Sequence, residues 1–412
     1  MTGVRQCHSA FRPLRRALLA LALVATAACN GGNFAPDTFD VLASTVGGGA
    51  GRAFHAAVSG PDGDVHLVGG QDASGLPLND VLFAERYRWS LRLFVAEQAF
   101  TSATGRVDPL ATLYGGEVLA LGGQVSGATA GAGPPEYLPM SSTAAADGER
   151  YDVSNQVMGA FALTGGAANA ALVRDGSGDL FLIGGRDASN NLLGEIRVWN
   201  ANTHAFDGTG TNLLTAREGC TATLLSTGEI LIVGGWSAGT PLQSAELFDP
   251  TLSTITATPA PVWPRAEHTA TASADGRKVL LYGGFTAVNT VAGTANADAA
   301  AEVYDVTTGT FSAVVTLPAP TPRVYHAAVR MGNGDVLIVG GVTDNAGTVS
   351  DTAQIYRFTG SGSLRDSGDT LAFPRFGHTA TLLPDGTVLV AGGLSGPGSA
   401  VPEAERYFPE VL

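Results

Sequence analysis

The stretch Pro374-Arg-Phe-Gly-His-Thr-Ala-Thr-Leu-Leu-Pro-Asp-Gly-Thr-Val-Leu-Val-Ala-Gly-Gly393 carries two apolar runs, 378–383 and 388–391, on either side of Asp385-Gly386, and stops at a pair of glycines. Asp-Gly between apolar runs marks a β-hairpin, and the tight two-residue turn it favours needs positive φ at both central positions. The same grammar recurs along the chain. Paired glycines end the apolar runs 65–70 (VHLVGG), 118–123 (VLALGG), 180–185 (LFLIGG), 230–235 (ILIVGG), 279–284 (VLLYGG), 336–341 (VLIVGG) and 388–393 (VLVAGG). Their first glycines stand at 69, 122, 184, 234, 283, 340 and 392. Asp62-Gly63, Asp275-Gly276 and Asn333-Gly334 supply further turns, with Gly115-Gly116 and Thr227-Gly228 in the equivalent places. A repeat of this length decides the architecture before any division of the chain into unrelated domains.

A variable loop and a third strand follow each glycine pair: Glu149-Arg-Tyr-Asp, Glu246-Leu-Phe-Asp, Glu302-Val-Tyr-Asp, Glu405-Arg-Tyr-Phe. A short fourth strand comes next, as in Thr308-Gly-Thr-Phe311. Four antiparallel strands, seven times over, predict an all-β, seven-bladed propeller across 37–412. The seventh copy stops after its third strand, whereas Thr38-Phe-Asp-Val41 precedes the first copy as an orphan fourth strand. That segment is expected to complete the last blade and close the ring, hiding sheet edges that would otherwise pair with other chains.

Composition agrees. The 412 residues are 45% hydrophobic and only 15% charged, which excludes a disordered chain, and 55 glycines argue against a helical one. The N-terminus is basic from Arg5 to Arg16, then apolar over 17–28 (ALLALALVATAA), too short to span a bilayer and suited to a signal peptide. Ala27-Ala28-Cys29 resembles a bacterial lipobox. The resemblance implies removal of 1–28, lipidation of Cys29 and a short tether over 29–36; cleavage after Ala25-Thr26-Ala27 is the alternative and leaves a soluble secreted protein. Loss of 1–28, with four arginines and no acid, takes the net charge from −14 to −18. Such a chain is repelled by phosphate backbones, so nucleic acid is excluded as a partner. Cys220 is the one cysteine after Cys29, which leaves no disulfide framework.

The Arg-x-x-His entry, hairpin, glycine pair and Glu-x-Tyr-Asp of each copy resemble the kelch-repeat family, over about residues 37–412. The resemblance implies the propeller and says little about function, because kelch propellers serve as scaffolds, ligand binders and occasional enzymes. Phe161, Phe206 and Phe311 stand where the family places a fourth-strand tryptophan. A copper-radical enzyme of this type, galactose oxidase, uses a Cys–Tyr crosslink, and Cys220 with the chain's several tyrosines permits that comparison.

Repetition itself filters candidates, since a residue type present in every copy builds blades and a singular one is free to serve function. Arg52, Arg106, Arg217, Arg265, Arg323 and Arg375 recur, as do His55, His268, His326 and His378, three positions after their arginines. A ring of imidazoles invites a metal reading, but recurrence favours hydrogen bonds to neighbouring blades. Glu85, Glu149, Glu195, Glu246, Glu302 and Glu405, with Gln354 in the sixth copy, are expected to pair with those arginines as blade-to-blade ties. Cys220 reads as a small buried thiol, and His66 as pore-facing or partly exposed. The loops after the glycine pairs lie on the face where the innermost strands begin, and 124–148 and 285–301 are the longest. Insertions on one face of a repeat array often mark the binding face.

These readings converge on a binding module at the bacterial cell envelope, lipid-anchored through Cys29, monomeric and without a cofactor or metal. Its expected partner is an envelope protein or glycan, met by a face carrying Tyr137, Trp236, Arg323 and His326. No catalytic residues are assigned, because no singular acid–base constellation stands out. The alternative is an oxidase or sugar-modifying enzyme with its site at the channel mouth.

Overall fold

The computed structural model describes residues 36–78, 84–96, 106–124, 145, 147–154, 157–288, 290–291, 300–314, 316 and 318–410. These form seven four-stranded antiparallel sheets, the blades of a propeller. Among the described residues there is no α-helix, only a 3-10 turn at Val46–Gly49. The ring closes as the sequence predicts. Thr38–Thr45 forms the outer strand of the seventh blade, beside Glu403–Phe408, Val388–Ala391 and Thr379–Leu382. Phe39 sits opposite Tyr407, with ring centroids 5.0 Å apart. The same third-to-fourth-strand pairing joins Tyr87 to Phe94, Trp199 to Phe206 and Tyr304 to Phe311. Phenylalanine therefore fills the outer layer by cross-strand stacking onto an aromatic partner.

The second strands are dominated by apolar residues because both of their faces are covered. Leu180–Ile183, Ile230–Val233, Val336–Val339 and Val388–Ala391 are buried at all four positions. The core is accordingly distributed in layers between adjacent blades. Leu337, Val339 and Ile355 of the sixth blade meet Val388, Val390 and Tyr407 of the seventh, and Leu280 and Tyr282 of the fifth meet Val336 and Ile338 of the sixth. His66 belongs to such a layer. It is buried, 5.9 Å from the Tyr151 ring of the next blade, and neither faces the pore nor reaches solvent.

The hairpin turns differ from the two-residue form in one respect. Gly228 donates to the Leu225 carbonyl while Leu225 donates to Glu229, and Leu383, Gly386 and Thr387 repeat the pattern. In these turns only the glycine has positive φ, +90° at Gly228 and +81° at Gly386. An extra residue makes each a type I turn closed by a left-handed glycine, with the side chain before the glycine capping the turn; Asp385 Oδ1 accepts from the Thr387 N–H at 3.2 Å and Thr227 Oγ1 from the Glu229 N–H at 3.4 Å. Among these hairpin turns, only Gly115-Gly116 has positive φ at both central residues, +60° and +89°.

The glycine pairs join blade to blade. In every blade the second glycine N–H donates to the carbonyl at the head of the next blade: Gly70 to Arg106, Gly123 to Ala167, Gly185 to Arg217, Gly235 to Arg265, Gly284 to Arg323, Gly341 to Arg375 and Gly393 to Arg52, at 2.7–2.9 Å. A Cβ on the first glycine of any pair would lie under 3.0 Å from that same carbonyl, and both glycines have positive φ. Gly234→Ala therefore meets the Arg265 carbonyl head-on, whereas Gly386→Ala, with open space around it, meets only the left-handed backbone. We expect Gly386→Ala to cost about 1 kcal/mol and Gly234→Ala about 3 kcal/mol or more, measured by urea unfolding. Equal losses would contradict the inter-blade role.

Candidate functional site

The entries to the seven innermost strands converge on one mouth of the central channel. In each blade the residue after the Arg position bridges the residue after the glycine pair, as in Ala53 with Gln71, Glu218 with Trp236 and Phe376 with Leu394. The variable loops and the strand entries thus share a face, as the sequence predicts. Along each entry the first, second and fourth positions are buried, apart from a half-buried Phe376, and the third opens to the channel. That third position holds Phe54, Asp108, Asn169, Gly219, Glu267, Tyr325 and Gly377, a different side chain in nearly every blade.

All seven have left-handed backbone, with φ between +49° and +63°. Their main chains form a belt: Gly377 N–H donates to Tyr325, Phe54 to Gly377, Asp108 to Phe54, Gly219 to Asn169 and Glu267 to Gly219, at 2.7–3.0 Å. The belt imposes the positive φ. Glycine adopts it freely, as at 219 and 377, whereas a β-carbon there costs about 1–2 kcal/mol per residue. Five blades nevertheless retain side chains. Strain kept at an accessible, non-repeating position is the mark of a functional site.

The ring borders a cavity of about 270 Å³. Its wall is divided. Phe54 and Tyr325 line one side with ring centroids 5.7 Å apart, and behind them Phe376 lies 6.0 Å from Phe54 and the buried Phe285 5.8 Å from Tyr325. Opposite stand Asp108, Asn169 and Glu267. Asn169 Nδ2 donates to Glu267 Oε1 at 3.4 Å, and the Glu267 carboxyl overhangs Gly219, where any Cβ would collide with it. Enclosure by protein raises the Asp108 carboxyl to about 6, although the side chain is open to the cavity's own solvent. Burial raises Glu267 to about 8, helped by the negative charges of Asp108 and Glu218 and opposed by a hydrogen bond from the Trp236 indole. Two acids with separated pKa values in one cavity are an acid–base constellation that the sequence reading missed. Aligning the Arg-x-x-His entries and inspecting the column that varies would have found it.

Of the four residues expected on the binding face, Tyr137 lies outside the described residues, as does the lipidation candidate Cys29. His326 lines the cavity. Trp236 is 0% exposed, packed against Ala266, Phe285 and Val324, and it backs Glu267 without reaching the cavity. Arg323 is equally buried; its Nη1 donates to the Gly340 carbonyl at 2.6 Å and its Nη2 to Thr352 Oγ1 at 2.7 Å. The other arginines behave alike, each capping the first glycine of its own blade.

The arginine–glutamate pairs, Arg217 with Glu246, Arg265 with Glu302 and Arg375 with Glu405, also lie within single blades, which corrects the expected blade-to-blade tie. What each glutamate holds is the connector arriving from the preceding blade: the Leu214 N–H donates to Glu246 and the Ala372 N–H to Glu405, both at 2.8 Å. Gln354 does the same for Thr321, and its Oε1 also accepts from the Tyr282 hydroxyl.

The histidines do bond the neighbouring blade. Nε2 of His55, His268 and His326 pairs with Oγ1 of Thr379, Thr221 and Thr269, each at 2.9 Å. Burial and the adjacent arginines keep these imidazoles neutral, with His326 lowered to about 3. Ala327 occupies the corresponding place before the seventh blade, so His378 finds no hydroxyl there. Cys220 is on the cavity wall, its thiol pushed up by burial to about 11 and hence protonated. Among the described residues no group of three or more His, Cys, Asp and Glu is placed to hold a metal ion.

No family model matches the chain, and no curated protein matches it.

The raised Glu267 pKa has a consequence for stability. Between the ordinary value of 4.5 and about 8 the folded protein holds a proton that the unfolded chain has released, so stability falls as pH rises through that window. Glu267→Gln removes that share of the decline. The difference in melting temperature between pH 5 and pH 8.5 should be smaller for the variant than for the wild type, and parallel curves would refute the assignment.

Proposed function

We propose that the protein is an exported, kelch-type propeller, lipid-anchored through Cys29, that binds a ligand in the channel mouth on the variable-loop face. The observation that carries this reading is the ring of seven positions that line the channel, repeat in no pattern and hold five side chains in left-handed backbone. A scaffold has no use for that strain, because glycine would serve the belt better. The envelope setting rests on the resemblance of 1–29 to a lipoprotein signal. An envelope glycan, or a group displayed by an envelope protein, is the class of ligand that this location offers.

Asp108→Gly separates binding from folding. It relaxes a φ of +52° and removes a carboxyl that faces the cavity. The melting temperature should stay level or rise by a few degrees. Against a panel of neutral saccharides, amines and organic acids at millimolar concentration, at least one class should raise the wild-type melting temperature and lose that effect in the variant. A panel without effect, or with equal effect on both proteins, would overturn the site. For the anchor, Cys29→Ala should move the protein from the membrane to the soluble fraction and abolish labelling by fatty acid.

One observation favours an enzymatic second reading. Carboxyls held near 6 and near 8 are matched to general base and general acid at neutral pH. Turnover of a glycoside with a bell-shaped pH profile, lost in Glu267→Gln, would place the enzyme first.

A further inference from the structure

We propose that the channel-mouth cavity selects a small organic cation, an amine or quaternary ammonium group, held between the Asp108 and Glu267 carboxyls and the faces of Tyr325 and Phe54. This deepens the binding reading above and rests on it.

The charge balance of the cavity is the first ground. Two acids border it and, among the described residues, no lysine or arginine lines it. The arginines at the blade heads are turned into the blades, and Arg186 is engaged with Glu218 behind the ring, at 2.6 Å. The imidazoles around the cavity are neutral, and the Cys220 thiol is protonated, so none supplies a compensating charge. Among the described residues no hydrogen bond or ion pair reaches the Asp108 carboxyl. Glu267 receives two neutral hydrogen bonds and faces two further acids. A half-buried carboxyl without a cationic partner, as at Glu267, is costly, and a ligand that brings positive charge meets both acids at once.

The opposite wall is the second ground. Phe54 and Tyr325 come from the first and sixth blades, and each meets the other edge to face at 85°. Aromatic faces opposite carboxylates are the environment that stabilises an alkylammonium, whose charge is spread over apolar substituents. The neutral imidazole of His378, 6% exposed and lining the same cavity, adds a polar contact for a hydroxyl or N–H borne by such a ligand. An anion would face two carboxyls, and a wholly neutral sugar would leave them uncompensated. A cavity of about 270 Å³ lies at the low end for small-molecule pockets and limits the group to a small one.

The test uses the full protein and isothermal titration with choline, with its uncharged isostere 3,3-dimethylbutan-1-ol, with glucose and with calcium chloride, at pH 5 and pH 9. Choline should bind at least tenfold more tightly than the isostere at pH 9. That preference should shrink at least tenfold at pH 5, where both carboxyls are protonated. Asp108→Asn and Glu267→Gln should each reduce choline affinity at pH 9 and remove part of the pH dependence, while Asp385→Asn, in an outer turn, should leave it unchanged. Equal affinity for choline and the isostere, a pH-independent affinity, or a response to calcium alone would overturn the inference. Glucose bound in place of choline, and lost in Asp108→Gly, would overturn the cation while leaving the channel mouth as the binding site.

Discussion

The hydrogen bond from the second glycine of each pair to the carbonyl at the head of the next blade is the constraint on which the molecule depends. It is made in every blade, and it brings the backbones so close that the glycine before it has no room for a β-carbon. That single contact sets the spacing and the rotation between neighbours. The apolar layers then fill the wedge it defines, which is why the second strands are buried on both faces and show no alternation. Because the seventh contact runs from Gly393 back to Arg52, the ring is closed twice: at the hub by this bond and at the rim by Thr38–Thr45.

The charged residues play a second, more local part. An arginine capping the first glycine's carbonyl and a glutamate gathering the amides of the incoming connector keep both sides of the joint in place within one blade. The third blade shows that the function can be met otherwise. It has Ala167 at the arginine position, and Arg197, reaching in from the third strand, donates to the Thr164 and Gly166 carbonyls of its connector. Every buried amide and carbonyl at the joint still needs a partner, whichever side chain delivers it.

This division explains what could be read from the residues. The blade count, ring closure and variable-loop face were legible because inter-blade contact must be satisfied seven times with the same few residue types. The reach of the Arg–Glu pairs was not, since residue type states a bond's chemistry and leaves open which neighbour receives it. Trp236 looked like a surface aromatic because it follows a glycine pair in a loop; the hairpin Trp236–Ser237 with Thr240–Pro241 folds its indole inward instead. The ring residues were hidden for a different reason. Phe54 and Tyr325 are types associated with extended backbone, and nothing in their identity announces a left-handed conformation shared with the neighbouring blades of the belt.

The two glycines in the ring complete the logic of the site. At Gly377 a side chain would strike the ring of Phe54, and at Gly219 it would strike the carboxyl of Glu267. In both cases the larger residue belongs to the following blade and leans back across the glycine, so an unstrained position is exchanged for room beside a strained one. A propeller hub that served only to hold blades together would gain stability by placing glycine at all seven positions. Here glycine stands where it yields space to an aromatic ring and to an acid, and both of those side chains border the cavity. The distribution of strain around the belt is therefore ordered by what the cavity presents, since the third entry position, which repeats in no pattern, is where the left-handed side chains border it.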